Sequence, residues 1–290
     1  MTSTTTFNTA KLSDNTEIFY IEAGNKSKPT ILLLHGFPTS SNMFRHLIPI
    51  LAPHFHLVAP DIPGFGYTKF PENYKFTFDN LAASIGLFVK AIDLRKFAMY
   101  IFDYGGPVGF RLALEQPDRI TALIVQNSNA YEEGLDDAFW APIKAFWKAG
   151  RDDPELVAGL TEYLETRSNI DYMYTQGMSH PERYDPTNCS LDLAMLKQPG
   201  QTNIQLDLFF DYQANVKLYP KVHELFRELD VPVLIAWGKN DYCFSYEGAE
   251  AYKRDNKKLI YHYVDSGHFA LEDHATEIGE AIIKELGPLL

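Results

Sequence analysis

Cysteine is scarce in this chain. Two residues, Cys189 and Cys243, stand far apart among 290, which excludes a disulfide framework and offers no metal-type spacing. A reducing compartment is expected. No apolar run is long enough to cross a bilayer, so no membrane association is read. The opening Met1-Thr2-Ser3-Thr4-Thr5-Thr6 has no apolar stretch behind a basic end, so no secretory signal is read and a cytoplasmic location is expected. Positive charge is also short: 26 Lys and Arg stand against 38 Asp and Glu, a formal net charge of -12. That field repels phosphate and argues against a nucleic-acid partner. The densest basic group, Lys253, Arg254, Lys257 and Lys258, reads as a solvated helix end. No histidine pair sits at ligand spacing, so no metal is expected. Gly64-Phe65-Gly66 is too short for a dinucleotide fingerprint and no phosphate loop is present, so no cofactor is expected.

What is present is a substantial core: 46% of residues are hydrophobic and 22% charged, an ordinary balance for a globular enzyme. Short apolar runs alternate with amphipathic stretches. Thr30–His35, Phe55–Pro60, Phe97–Phe102, Thr121–Gln126, Val231–Trp237 and Leu259–Val264 read as buried strands. Continuous apolar strands suit a parallel sheet covered on both faces. Met43–Leu51, the segment carrying Leu81, Ile85, Phe88 and Val89, and Gly105–Leu114 read as helices between them. A final helix is expected from about His274 to Leu286. The pattern predicts an α/β fold with a mostly parallel, doubly wound sheet.

From about Asn129 to Leu225 strands give way to aromatic-rich helical sequence. Phe139, Trp140, Ile143, Phe146 and Trp147 fall at helical spacing, and Asp153-Pro154 has the form of an N-cap followed by proline. The expected division is a core of residues 1–128 and 226–290 with a helical insertion at 129–225.

Ligands in such sheets bind beyond the carboxyl ends of the strands. Four of those ends read His35-Gly36-Phe37-Pro38, Asp103-Tyr104-Gly105-Gly106, Gly238-Lys239-Asn240-Asp241 and Asp265-Ser266-Gly267-His268. Ile101–Gly106 has the form of a nucleophile elbow, with aspartate where serine is commoner. Taken singly, Asp103 is also a residue that favours turns, and Asp241 one that caps loops. Of nine histidines, His268 is the one in a Gly-His loop after the last strand. His35 reads as structural, and His54, His56 and His262 lie on or beside strands.

With HGFP, DIPGFGYT, FDYGGPVGFRLALEQP, WGKND and DSGHFALE in this order, the chain resembles the aspartate-nucleophile branch of the α/β-hydrolase superfamily. That branch holds soluble epoxide hydrolases, haloalkane dehalogenases and fluoroacetate dehalogenases. DYGGPVGFRLA and DYQANVKLYP are similar to a microbial and fungal group described as epoxide-hydrolase-like. The resemblance implies an α/β-hydrolase core under a helical cap. It also implies Asp103 as nucleophile, His268 as the base that activates water, and Asp241 as its orienting acid. Backbone N–H groups of Phe37 and Tyr104 become the oxyanion donors. Tyr212 matches a ring-opening tyrosine of epoxide hydrolases.

Departures from the family pattern separate the subclasses. Haloalkane dehalogenases commonly place a tryptophan after the nucleophile and many an asparagine after the HG pair. This chain has Tyr104 and Phe37. Fluoroacetate dehalogenases place arginines beside the nucleophile, whereas Arg111 lies a helical turn further on. The tyrosine usual early in the cap is missing from residues 139–147. Trp140 and Trp147 are expected at the substrate pocket, and Tyr172, Tyr174, Tyr184 and, more weakly, Tyr131 are candidate substitutes. The expected activity is cofactor-independent opening of a small apolar epoxide by water to a vicinal diol. A dehalogenase on the same scaffold and a non-catalytic small-molecule receptor are the alternatives. Monomer and homo-oligomer are both left open.

Overall fold

The computed structural model describes residues 4–290. Eight strands form one sheet: β1 (Thr6–Lys11), β2 (Glu17–Ala23), β3 (Thr30–Leu34), β4 (His56–Pro60), β5 (Phe97–Phe102), β6 (Ile120–Gln126), β7 (Val233–Gly238) and β8 (Leu259–Val264). Their order across the sheet is β1-β2-β4-β3-β5-β6-β7-β8. The β1–β2 and β2–β4 pairs are antiparallel and the rest parallel. β4, β5 and β7 are buried at every position, and β3 and β6 at all but one. A strand with no polar face needs cover on both sides.

The helix Phe78–Ala91 supplies part of that cover through Leu81, Ile85, Phe88 and Val89. It starts where Thr77 Oγ1 accepts the Asn80 N–H at 3.2 Å, and Asp79 in its first turn suits the positive end of the helix dipole. The helix Gly105–Glu115 follows β5 after a two-residue turn.

Between β6 and β7 the chain forms five longer helices: Asp137–Ala149, Pro154–Glu165, Arg167–Thr175, Pro186–Leu196 and Gln201–Glu228. Three are capped by aspartates, with Asp136, Asp153 and Asp185 each accepting a backbone N–H at 2.7–3.0 Å. Asp153-Pro154 is the cap and first residue of its helix, as the dipeptide suggests. Among the described residues no helix is long and apolar enough to cross a membrane.

Three local differences from the sequence reading have physical causes. β1 and β2 were not expected; β1 is largely exposed at the sheet edge and has no apolar run to mark it. The helix expected over Met43–Leu51 is instead a 3-10 turn, Ser41–Arg45, followed by one α-turn, Ile48–Leu51. Pro49 lacks the N–H that a continuous helix needs there, and its ring crowds the preceding turn. Met43, Phe44, Leu47, Ile48 and Leu51 are nevertheless all buried. The last helix begins at Leu271 rather than His274, where it kinks at φ -124°.

The elbow needs close approach of helix and sheet. A Cβ placed on Gly105 would lie 2.3 Å from the Leu34 carbonyl oxygen, which the sheet holds fixed. Gly105→Ala is expected to destabilise the protein by about 1–3 kcal/mol, the range for overpacking. Gly159, inside Pro154–Glu165, faces open space, and Gly159→Ala should instead raise stability by up to about 1 kcal/mol. Thermal melting of both variants checks the contrast; a Gly105→Ala protein melting like the parent would sink the account of the elbow.

Candidate active site

The parallel strands end on one rim, and the polar residues that follow them converge there. Asp103 follows β5 in the left-handed region at φ +46°, an unfavourable backbone for a residue with a Cβ. Three bonds hold it. Its N–H donates to the Asn127 carbonyl at 3.3 Å, and its carbonyl accepts the Gly106 N–H at 3.0 Å and the Ser128 hydroxyl at 2.9 Å. The twist lifts the carboxylate toward the turn after β3, where Oδ1 accepts the Phe37 N–H at 2.5 Å. Gly36 makes the approach possible, because a Cβ there would meet that oxygen at 2.3 Å.

His268 arrives from the loop after β8. Its Nδ1 lies 2.8 Å from Asp241 Oδ2, and its Nε2 lies 4.0 Å from Asp103 Oδ2. An acceptor on Nδ1 fixes that nitrogen as the donor and leaves Nε2 bare toward Asp103. Asp241, after β7, is saturated with donors. Oδ1 accepts the Cys243 N–H at 2.7 Å and the Phe244 N–H at 3.2 Å, while Oδ2 also accepts Asn127 Nδ2–H at 2.8 Å. The structure thus brings Asp103, Asp241 and His268 together.

All three are buried, and burial sets their acid–base behaviour. It pushes the Asp103 carboxyl up to about 6, with His268 and the Phe37 and Tyr104 N–H groups pulling the other way. For His268 burial works against the charge, but Asp241 and Asp103 outweigh it and the net shift is upward. His35, by contrast, is structural: Nε2 accepts the Ile62 N–H at 2.9 Å while Nδ1 faces the Gly36 carbonyl. Burial drops its pKa to about 4.

Asn127 was absent from the sequence reading. It follows β6, adopts φ +44° and spans Asp241 and Gly238, since its Oδ1 also accepts the Gly238 N–H at 3.0 Å. The strand-end rule that found the other residues finds it too, once the Gln126-Asn127-Ser128-Asn129 end of β6 is read alongside them.

Above Asp103 lies a cavity lined by Phe37, Tyr104, Trp140, Phe209, Phe244 and His268, among others, with about 20 Å³ free. That is room for about one water. Trp140 lines it as expected, but its indole N–H is donated to the Cys243 carbonyl at 2.6 Å. Trp147 does not line it, contrary to expectation. Its N–H is held by the Phe209 carbonyl at 2.7 Å, and its ring lies parallel to that of Tyr212 with centroids 6.4 Å apart.

Tyr212 sits one layer behind the wall, its ring 4.7 Å from Trp140 and 5.9 Å from Tyr104, and its buried hydroxyl has no hydrogen-bond partner within 3.5 Å among the described residues. Burial, then Tyr219 and Asp103, hold its proton well above the ordinary tyrosine range. The candidate substitutes are committed elsewhere. Tyr174 bonds Asp192, Tyr184 bonds Asp171 and Tyr131 bonds Asp255, while Tyr172 is exposed. Cys243 lines the cavity, and burial beside Asp241 and Asp103 keeps its thiol protonated.

A mostly parallel sheet in this strand order, with an aspartate elbow after β5 and a histidine loop after β8, is the architecture of an α/β hydrolase. Residues 29–275 match the family model for the alpha/beta hydrolase fold, and the chain belongs to that family. It is 55% identical over 277 residues to an uncharacterized hydrolase of Saccharomyces cerevisiae, covering 96% of each chain. It is 27% identical to haloalkane dehalogenase 2 of Mycobacterium tuberculosis, covering 95% of this chain and 93% of that one. Among solved structures, epoxide hydrolase CorEH superposes with a TM-score of 0.77 at 20% identity, over 99% of this chain and 100% of that one. The last likeness shows the fold alone.

The electrostatics of the cluster can be checked without a substrate. Asp241→Asn removes the stronger of the two charges that raise the His268 pKa and leaves the burial that lowers it, which outweighs the remaining Asp103. The imidazole should then titrate below its ordinary value of about 6.5, as read from the histidine ring signals by NMR. A titration unchanged from the parent would show that Asp241 does not govern His268.

Proposed function

We propose that this hydrolase opens apolar epoxides to vicinal diols through an ester on Asp103. One observation carries the choice over dehalogenation. The cavity wall beside Asp103 offers one O–H for a leaving atom, that of Tyr104, with the Tyr212 ring packed behind it, while the indole N–H of the lining tryptophan is taken by a backbone carbonyl. The relative reported above whose name gives an activity is a haloalkane dehalogenase at 27% identity, so the epoxide reading rests on these donors and not on likeness.

Asp103 is mostly ionised at neutral pH and attacks a ring carbon directly. The carbon–oxygen bond breaks and its electron pair moves onto the ring oxygen. An alkoxide is too basic to form unaided, and the Tyr212 phenol supplies its proton. His268 Nε2 then takes a proton from water, and the hydroxide adds to the ester carbonyl. The Phe37 and Tyr104 N–H groups stabilise the resulting oxyanion. Collapse expels the second diol oxygen, which takes the proton carried by His268. The remaining water proton restores the Tyr212 phenol, so water and epoxide are consumed one for one. The reaction as written needs no cofactor.

The helical segment, residues 129–225, acts in this proposal as a cap. It contributes Phe139, Trp140, Ile143, Met173 and Phe209 to the wall, and these must move apart before anything larger than water reaches Asp103. The aromatic wall selects apolar substrates. A cytoplasmic enzyme acting on a small substrate and water is the setting proposed.

The test is the intact mass of His268→Ala after exposure to styrene oxide, epoxyhexane and, separately, bromohexane. A gain equal to the whole epoxide, lost when Asp103 is also changed to Asn, is the expected result. A gain equal to the hexyl group, from bromohexane alone, would overturn the epoxide reading in favour of dehalogenation. Tyr212→Phe should slow adduct formation by about a hundredfold or more, the usual contribution of a positioned acid.

A second expectation concerns pH. Attack needs the Asp103 carboxylate, and its carboxyl is pushed up to about 6. The value of kcat/KM should therefore hold near neutrality and fall about tenfold per pH unit well below 6. An acid limb near the ordinary aspartate value of about 3.9 would contradict it.

A further inference from the structure

Burying a hydroxyl without a partner costs stability, and each such group in a folded chain needs a reason. Most fully buried tyrosines here are satisfied. Tyr100 donates to Gln126, Tyr252 donates to the Ser128 carbonyl, and Tyr219 accepts from Asn129. Two beside Asp103 are not, Tyr104 and Tyr212. Of the cavity-lining residues, Tyr104 is the one tyrosine.

Its placement is rigid. The residue is 3% exposed. Phe78 meets its ring edge-on at 4.9 Å, Phe37 lies at 5.9 Å, and Phe65 meets it edge-on at 6.3 Å. The backbone is equally fixed, because Tyr104 follows the strained Asp103 and precedes Gly105 at the tight helix start. An aromatic cage of this kind leaves the ring few rotamers, so the hydroxyl does not swing away to find water. Burial and the adjacent Asp103 carboxylate keep it protonated, a donor at neutral pH.

We propose that the Tyr104 hydroxyl is a catalytic donor that holds the leaving oxygen by a hydrogen bond while Asp103 attacks. The proposal rests on the epoxide reading above. No proton leaves Tyr104. The Asp103 oxygen bonds carbon, the carbon–oxygen bond of the ring breaks, and the Tyr104 O–H stabilises the charge on the departing oxygen until Tyr212 protonates it. The second donor that residues 139–147 do not supply then comes from the elbow itself. Tyr104 acts twice, through its side chain in ring opening and through its backbone N–H in ester hydrolysis.

Tyr104→Phe separates these roles, because it keeps the ring and the N–H and removes one oxygen. In the His268→Ala background, the adduct with styrene oxide or epoxyhexane should form roughly a hundredfold more slowly, as when one preorganised donor is lost. With His268 intact, decay of the ester, followed by rapid quench and mass, should be unchanged. The melting temperature should not fall, since an unsatisfied hydroxyl has been removed. Adduct formation at the parent rate overturns the proposal and leaves the epoxide reading standing. Equal slowing of both steps, or a lowered melting temperature, assigns Tyr104 a structural role and overturns it as well. Absence of any epoxide adduct in His268→Ala overturns both readings together.

Discussion

The constraint on which the site depends is the backbone of Asp103, held at φ +46° where an L residue is strained. The surrounding structure over-determines that conformation. The sheet fixes both sides of the turn, the Asn127 carbonyl takes its N–H, and Gly36 and Gly105 remove the Cβ atoms that would block it. Asn127 shares the feature. Phe102 and Gln126 are register partners in β5 and β6, and the residue after each turns left-handed. One turn presents the Asp103 carboxylate and the other grips Asp241, so paired strands fix both acids relative to each other.

Two carboxylates and an imidazole in a buried site would repel or neutralise one another without asymmetry in their surroundings. The asymmetry is plain here. Asp241 accepts four hydrogen bonds, whereas Asp103 has the Phe37 and Tyr104 N–H groups and a free face toward the cavity. Donors on both oxygens of Asp241 fix its orientation, and burial pushes Asp103 up to about 6. The result is one acid suited to orienting a histidine and another left exposed to an electrophile. In the proposed reaction, two residues of one chemical type take different tasks because their environments differ.

The strand ends were legible because an apolar run followed by a polar residue with a glycine close by is a local pattern. Asp103, Asp241 and His268 each close such a run. Asn127 escaped because Gln126-Asn127-Ser128-Asn129 has no glycine to mark a turn, so its side chain supplies what a glycine signals elsewhere. The strands β1 and β2 escaped because neither has a continuous apolar run: β1 is largely exposed at the sheet edge, and β2, paired on both sides, alternates half-buried and buried positions. The split of Met43–Leu51 was readable at Pro49, although the buried face of the segment was right. The tryptophans were the least legible. Helical spacing put Trp140 and Trp147 near each other, seven residues apart, but which one reaches the cavity depends on how Asp137–Ala149 packs against Gln201–Glu228. That is a tertiary choice with no local signal.

The two indole groups show what distinguishes a wall from a donor. Trp140 and Trp147 both spend their N–H on backbone carbonyls, of Cys243 and Phe209. Each bond anchors the helix Asp137–Ala149, the first to the loop carrying Asp241 and the second to the helix carrying Tyr212. An indole N–H so used ties the insertion to its neighbours and is not left free for a substrate. The phenols of Tyr104 and Tyr212 are in the opposite state, enclosed by rings and unsatisfied. Tyr104 borders a cavity of about 20 Å³ with Tyr212 packed behind it, and a substrate that enters when the wall parts brings an acceptor. In the reaction proposed, that acceptor is an oxygen whose charge grows as the ring opens, and a donor in a water-excluded site is worth most to a charge that water cannot reach.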